Sequence, residues 1–253
     1  MKITYRFPQY SPHVGGKGRK FDEATEYNIN NLTKLLSEIS IINNNVEILE
    51  LKDLSFTKET ESKIVNLFNS NKSDKVWQGK FEKIYAYIFD SLTPNPKNIL
   101  EIGIGSKNNK YLSYMGENEK TGASIRAFKE LFPKTNVVAA DIDIDLKEKL
   151  KKESIELLYV DQMNEQTVID LFNAFDYELD LIIDDGLHLE SSNLLILKHG
   201  LRKLSKGGCM VIEDIGHSAL KTWLIVSSLL GPEYKPTIIN RDNLGYCFLI
   251  YKN

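Results

Sequence analysis

The chain has 253 residues, 42% of them hydrophobic and 26% charged, with a formal net charge of −3 at pH 7. It is long enough for one domain or one and a half, and apolar enough for a well-buried core. Its lysines are matched by acids, which leaves no basic field for a nucleic-acid backbone. No apolar run follows the N-terminal charges or approaches a membrane span, so a cytoplasmic location is the default expectation.

Residues 5–21 form a polar, glycine-rich segment carrying Arg6, Tyr10, His13 and Arg19. It reads either as a tail or as a lid that orders over substrate, with Tyr10, His13 and Arg19 as candidate contacts to an anionic acceptor. Apolar spacing predicts helices over 23–40, 58–69 and 81–92, the last closed by Pro94 and Pro96, with a short strand at 46–51. Residues 1–95 are therefore expected to be an N-terminal helical extension or lid, and 96–253 the main domain.

From residue 98 onward strands and helices alternate. Strands are expected at 98–104, 136–142, 155–161, 179–185 and 208–215, and helices at 122–132, 146–152, 165–175, 192–204 and 219–230. Most of the strands are continuous apolar runs, which suits a parallel sheet buried on both faces. Cys209 and Cys247 lie inside such runs and read as small buried hydrophobes. His199, inside a helix, reads as structural. Only Asp242-Asn-Leu-Gly245 separates the last two strands, 236–241 and 246–252, too short for a parallel crossover and about right for a hairpin. An α/β, Rossmann-like sheet with a C-terminal antiparallel hairpin is, by fold-level analogy, the layout of class I S-adenosylmethionine (SAM) methyltransferases. The apolar helix 219–230 could pack on the sheet or form a homo-oligomer interface.

Two strands deliver acids to one edge. Leu181-Ile-Ile-Asp-Asp-Gly-Leu-His188 is followed by Val211-Ile-Glu-Asp-Ile215, so Asp184, Asp185, His188, Glu213 and Asp214 can meet in one small volume. That set is enough for a divalent metal and a general base. His217, just beyond, is either a substrate contact or a plain loop histidine. Upstream, Leu100-Glu-Ile-Gly-Ile-Gly105 is a strand running into a glycine turn, in which Gly103 and Gly105 let the backbone approach a ligand. Position 108 is Asn, so the G-x-G-x-x-G fingerprint is incomplete, and Glu101 would repel a pyrophosphate. A cationic, phosphate-free cofactor such as SAM is better tolerated, which argues against an NAD-linked oxidoreductase. Asp141 ends the next strand, where an acid can accept both hydroxyls of an adenosine ribose. Asp161-Gln-Met-Asn164 follows the third strand and could meet the adenine edge, with Asn164 equally suited to capping a helix.

These residues resemble the SAM-dependent sugar O-methyltransferases of macrolide biosynthesis, the macrocin and mycinamicin type, and the wider group that includes cephalosporin-hydroxylase-like proteins. The matching pieces are Glu101-Ile-Gly-Ile-Gly105 with Gly122-Ala-Ser-Ile-Arg-Ala-Phe128, Ala140-Asp-Ile142, Val160-Asp-Gln162, Asp180 through His188, and Gly207 through Ile215. Ser73-Asp-Lys75, with Phe81 and Tyr85, looks like the family's threonine–aspartate–lysine segment before the domain. The resemblance implies that Asp185, Glu213 and Asp214 bind Mg2+ and that His188 is the base. It implies that Glu101, Gly103, Asp141, Asp161 and Gln162 line the SAM pocket, with Gly105 and Ser124 counted to it and Asp184 supporting it. The implied partner is a small-molecule or saccharide acceptor, such as a natural-product or capsular sugar or an anionic phosphoryl-type group carried on one. A cephalosporin-hydroxylase-like protein of other chemistry and a non-catalytic SAM-binding subunit are the alternatives. Residues 106–121 are longer than in the family, and Leu187 stands where the family has serine.

Overall fold

The computed structural model describes residues 46–253, apart from 77–78, 93, 112–113 and 115–119. The expected helix over 23–40 and the segment holding Tyr10, His13 and Arg19 lie outside the described residues.

Eight strands and seven helices are described. They run β1 (Glu47–Glu50), α1 (Lys58–Asn71), α2 (Phe81–Ser91), β2 (Asn98–Ile102), α3 (Ala123–Leu131), β3 (Asn136–Asp141), α4 (Lys147–Lys152), β4 (Glu156–Tyr159), α5 (Glu165–Asn173), β5 (Leu179–Asp184), α6 (Glu190–Gly200), β6 (Leu204–Ile215), α7 (Leu220–Leu229), β7 (Tyr234–Asn240) and β8 (Tyr246–Lys252). All strands join one sheet in the order β1-β7-β8-β6-β5-β2-β3-β4. β8 is antiparallel to both β6 and β7, and every other pairing is parallel. This is the Rossmann-like class I methyltransferase sheet with its inserted antiparallel strand. The expected hairpin is present, and the short N-terminal strand is an eighth member, paired with β7 from Glu47↔Thr237 to Glu50↔Asn240.

The continuous apolar runs are buried on both faces because alternate side chains feed two cores. Ile99, Leu181, Ile183, Cys209 and Val211 point to one face, where Ile64 and Phe68 of α1, Ile84, Tyr85 and Ile88 of α2 and Phe128 of α3 cover them. Leu100, Ile102, Ile182, Met210 and Ile212 point to the other, covered by α5, α6 and Trp223 of α7. The segment that carries α1 and α2 is thus part of the main core. Among the described residues no helix is long and apolar enough to cross a membrane.

Boundaries differ most around β6. A helix is expected to Leu204 and a strand from residue 208, yet α6 stops at Gly200 and β6 starts at Leu204, paired with Leu179. In the structure Gly207 takes φ +79° and the pairing with β5 shifts between Leu179 and Leu181, so the strand continues through an irregularity.

Candidate active site

Register brings the site together. Ala140 of β3 pairs with Ile102 of β2, Ile102 with Asp184 of β5, and Asp184 with Ile212 of β6. The next residue on each strand, Asp141, Gly103, Asp185 and Glu213, therefore stands in one row at the carboxyl edge, where open α/β sheets bind ligands. Gly103 is required there. Its φ is +84°, and a Cβ would lie 2.3 Å from the Asp185 carbonyl oxygen and 2.4 Å from Gly186 Cα.

On the acidic side, one donor atom from each of Asp185, His188 and Asp214 lies within 4.8 Å of the others. Asp185 Oδ1 and Asp214 Oδ2 are both 3.9 Å from His188 Nε2. The remaining oxygens are held by cations. Lys75 Nζ donates to Asp185 Oδ2 at 2.6 Å and to Glu213 Oε2 at 2.6 Å, and lies 3.6 Å from Glu101 Oε1. Burial pushes the Lys75 ammonium down, but Asp185, Glu213 and Glu101 outweigh it and hold its pKa well above the ordinary lysine value. Arg241 Nη2 donates to Asp214 Oδ1. Glu213 is buried, and its second oxygen accepts from the Tyr85 hydroxyl.

A bulge separates the two acids of β6. Between Ile212↔Phe248 and Ile215↔Tyr246, three steps on β6 oppose two on β8, and Asp214 takes φ +53°. The extra residue breaks the strand's alternation, so Glu213 stays inside while Asp214 turns out to the edge.

The other side of the row is built on Asp141 and Gln162. Asp141 Oδ2 accepts from Ile104 N at 2.9 Å and Oδ1 from Asp143 N at 2.9 Å, which fixes the glycine turn and leaves each oxygen further acceptor capacity. Gln162 Nε2 donates to Asp184 Oδ1 at 2.7 Å, and its Oε1 accepts from Leu187 N at 2.8 Å. Asp184 is fully buried, its other oxygen taken by Asn193 Nδ2 at 2.8 Å. It acts on the Asp185–His188 turn through Gln162. Ser124 Oγ donates to Glu101 Oε2 at 2.8 Å, so buried Glu101 ties α3 to β2.

Three adjoining cavities follow the edge. One of about 480 Å³ is lined by Lys75, Gly103, Gly105, Ser124, Asp185, His188 and Asp214, among others. One of about 290 Å³ holds Asp141, Asp161, Gln162, Met163, Lys110 and Tyr111, and shares Gly103, Gly186 and Leu187 with the first. One of about 180 Å³ lies beyond the acids against Phe81, Arg241 and Leu244.

Of the residues expected from sequence, Gly103, Gly105, Ser124, Asp141, Asp161, Gln162, Asp185, His188 and Asp214 line these cavities, and Glu213 lines the third. Glu101 and Asp184 are buried behind them. His217 is exposed and packs edge-on to Tyr246. Asn164 caps α5, accepting from Gln166 N at 3.1 Å, and His199 pairs with Glu165 at 3.0 Å. Sequence reasoning gave no role to Lys75, Tyr85 or Arg241. The Ser73-Asp-Lys75 segment, quoted with Phe81 and Tyr85, was the available signal for Lys75 and Tyr85; nothing local marks Arg241. Residues 106–111 gained a position they lacked: Ser106 Oγ donates to Asp143 Oδ2, which anchors the longer loop beside the second cavity.

No family model matches the chain. Over 143 residues, 56% of its length, the chain is 24% identical to the 8-demethyl-8-alpha-L-rhamnosyl tetracenomycin-C 2'-O-methyltransferase of Streptomyces olivaceus, of which the match covers 35%. The fold is similar to that of the MycE methyltransferase from the mycinamycin biosynthetic pathway, solved with Mg and SAH (TM-score 0.58, 18% identity, covering 79% of this chain and 56% of that one). The same enzyme with Mg, SAH and mycinamycin VI gives a TM-score of 0.57 at 19% identity, covering 76% and 54%. The chain thus spans about a third of the curated relative and just over half of the solved one.

Proposed function

We propose that this chain is a SAM-dependent O-methyltransferase that uses Mg2+ and acts on an oxygen of a sugar or sugar-linked small molecule, in a natural product or a surface polysaccharide. The observation that carries the reading is the pair of carboxylates, Asp185 and Asp214, placed with His188 against the cavity floored by the glycine turn. The donor set fits the cation. Carboxylate oxygens suit a hard divalent ion, and Asp185 and Asp214 each bring one within 4.8 Å of the other beside His188. The cofactor fits as well: both oxygens of Asp141 keep acceptor capacity beside the glycine turn, and Asp161 and Gln162 line the same cavity.

In this reading Asp141 accepts from the ribose hydroxyls, Gln162 and Asp161 face the adenine, and Ser124 and Gly105 border the methionine end. SAM supplies the methyl group, and Mg2+ supplies charge that makes an acceptor hydroxyl more acidic. His188 takes the acceptor's proton at Nε2, held near the two carboxylates by the turn that Gln162 braces. Lys72 and Lys120 line the same cavity, which supports an acceptor bearing an anionic group such as a phosphoryl-type oxygen.

Calorimetry with SAH and with NAD, each with and without MgCl2, tests the cofactor. SAH binding without NAD binding is expected. Labelled SAM with a panel of glycosides and sugar phosphates then tests the transfer, and full turnover in a chelator would remove the metal from the reading.

A further inference from the structure

Among the described residues, the helix layer on one face of the sheet stops short of the sheet's edge. β1 is the edge strand beyond β7, and its Ile48 pairs in register with Ile238, part of the core that α5, α6 and α7 cover. Val46 packs against that core, yet Ile48, on the same face, is 47% exposed. Beside it stands α7, whose one charged residue is Lys221. Its Leu220, Leu224 and Val226 pack on the core, Ile225 is half-buried and Leu229 is 68% exposed. An apolar face at this place calls for one more helix in the layer.

The chain itself supplies one. Residues 23–40, expected to be helical, carry Ile29, Leu32, Leu36 and Ile39 on one stripe, with Asn30, Lys34 and Glu38 opposite. β1 is parallel to β7, so the chain enters it at the amino edge, where α7 also ends. Residues 41–45 alone separate the segment from Val46. So short a tether gives an effective concentration on the order of millimolar, which favours this segment over a second copy.

We propose that the face formed by Ile48, Ile225 and Leu229 is the docking site of residues 23–40 of the same chain, laid parallel to α7. Residue 23 then stands at the carboxyl edge, where the chain leaves β6 for α7, and the docking delivers the 5–21 segment to the edge that holds the acids. The inference does not rest on the transferase reading.

The chain's two cysteines are buried, so an introduced thiol can be read by itself. In the full chain, Leu229→Cys is expected to react with a maleimide at least about tenfold more slowly than Lys134→Cys at another exposed position, at a rate independent of protein concentration. Leu32→Glu with Leu36→Glu should restore fast labelling at position 229 and leave position 134 unchanged. Two cysteine pairs carry the test if that charged variant fails to fold: Leu36→Cys with Leu229→Cys, and Thr25→Cys with Ser218→Cys. The pairs are spaced alike along the two segments, so a short bifunctional maleimide is expected to bridge each within one chain. Fast labelling at position 229 in the chain with residues 23–40 unaltered means a bare face and overturns the proposal. Protection that survives Leu32→Glu with Leu36→Glu overturns it as well. Protection that rises with protein concentration, with bridges formed between chains, assigns the face to a second copy. Bridging of the first pair without the second removes the parallel docking and the delivery of residues 5–21.

Discussion

Asp214 and His188 both sit in the left-handed backbone region, at φ +53° and +54°. For a side chain other than glycine this conformation costs on the order of 1 kcal/mol, and Asp, Asn and His bear it better than most. The two residues that bracket the site are thus held where few residue types settle. At Asp214 the backbone and the charge can be separated by substitution. Asp214→Asn keeps an acceptor for Arg241 and tolerates the conformation; Asp214→Ala does neither. Alanine should therefore cost roughly 1–3 kcal/mol more than asparagine in urea unfolding, while both weaken Mn2+ binding at least about tenfold. Equal stabilities would mean that the bulge is not held through residue 214. At residue 188, His188→Ala should leave SAH affinity near wild type and cut methyl transfer by roughly 100-fold or more. Retained turnover in that variant would give the proton to another group.

The edge is assembled by neighbouring elements at points where no side chain fits. Gly103 lets β2 pass the turn after β5, and Gly103→Ala would place a methyl group on the Asp185 carbonyl. That variant should lose stability and SAH binding together. A variant that bound SAH normally would show that the cofactor does not use this turn. The loop 106–111 brings Tyr111 to the wall of the Asp141 cavity. An aromatic ring against a base is worth about 1–3 kcal/mol, so Tyr111→Ala should weaken SAH binding by roughly five- to 100-fold, with NAD still unbound. These elements differ in how far the sequence discloses them. β2, β3 and β5 were legible because continuous apolar runs end in Gly103, Asp141 and Asp185, and a parallel sheet aligns such ends. Lys75 and Arg241 were not legible as partners of the site. Lys75 meets carboxylates 110 and 138 residues away, and Arg241 reaches Asp214 across the hairpin, with no local pattern to mark either contact. The bulge that divides Glu213 from Asp214 depends on pairing with β8, so two adjacent acids read alike in sequence and stand apart in space.

At the scale of the molecule, the two cores leave one charged stratum between sheet and helices, where Glu101, Lys75, Tyr85 and Glu213 lie together on the α1–α3 side. Such a stratum makes folding sensitive to pH. Burial is the main cause that lifts the Glu101 carboxyl from its ordinary 4.5 to about 7, with Lys75 opposing. Between those values the folded protein keeps a proton that the unfolded chain has released. The stability that this proton contributes is fully present below about pH 4.5 and is lost as pH rises through about 7, on the order of 3 kcal/mol for a displacement of that size. Glu101→Gln cannot ionise and can still accept from Ser124. In the metal-free protein its stability relative to wild type should therefore rise by roughly 3 kcal/mol between pH 5 and pH 8, measured by denaturant unfolding at a series of pH values. Asp90 and Glu153, whose pKa values are lowered mainly by hydrogen bonds from Thr60 and Thr57 and from Arg126, bend the stability of both proteins the opposite way and cancel in the difference. A difference that stays flat across this range would mean that Lys75 keeps Glu101 ionised in the folded state, and that the stratum is a fixed ion cluster with no proton of its own to lose.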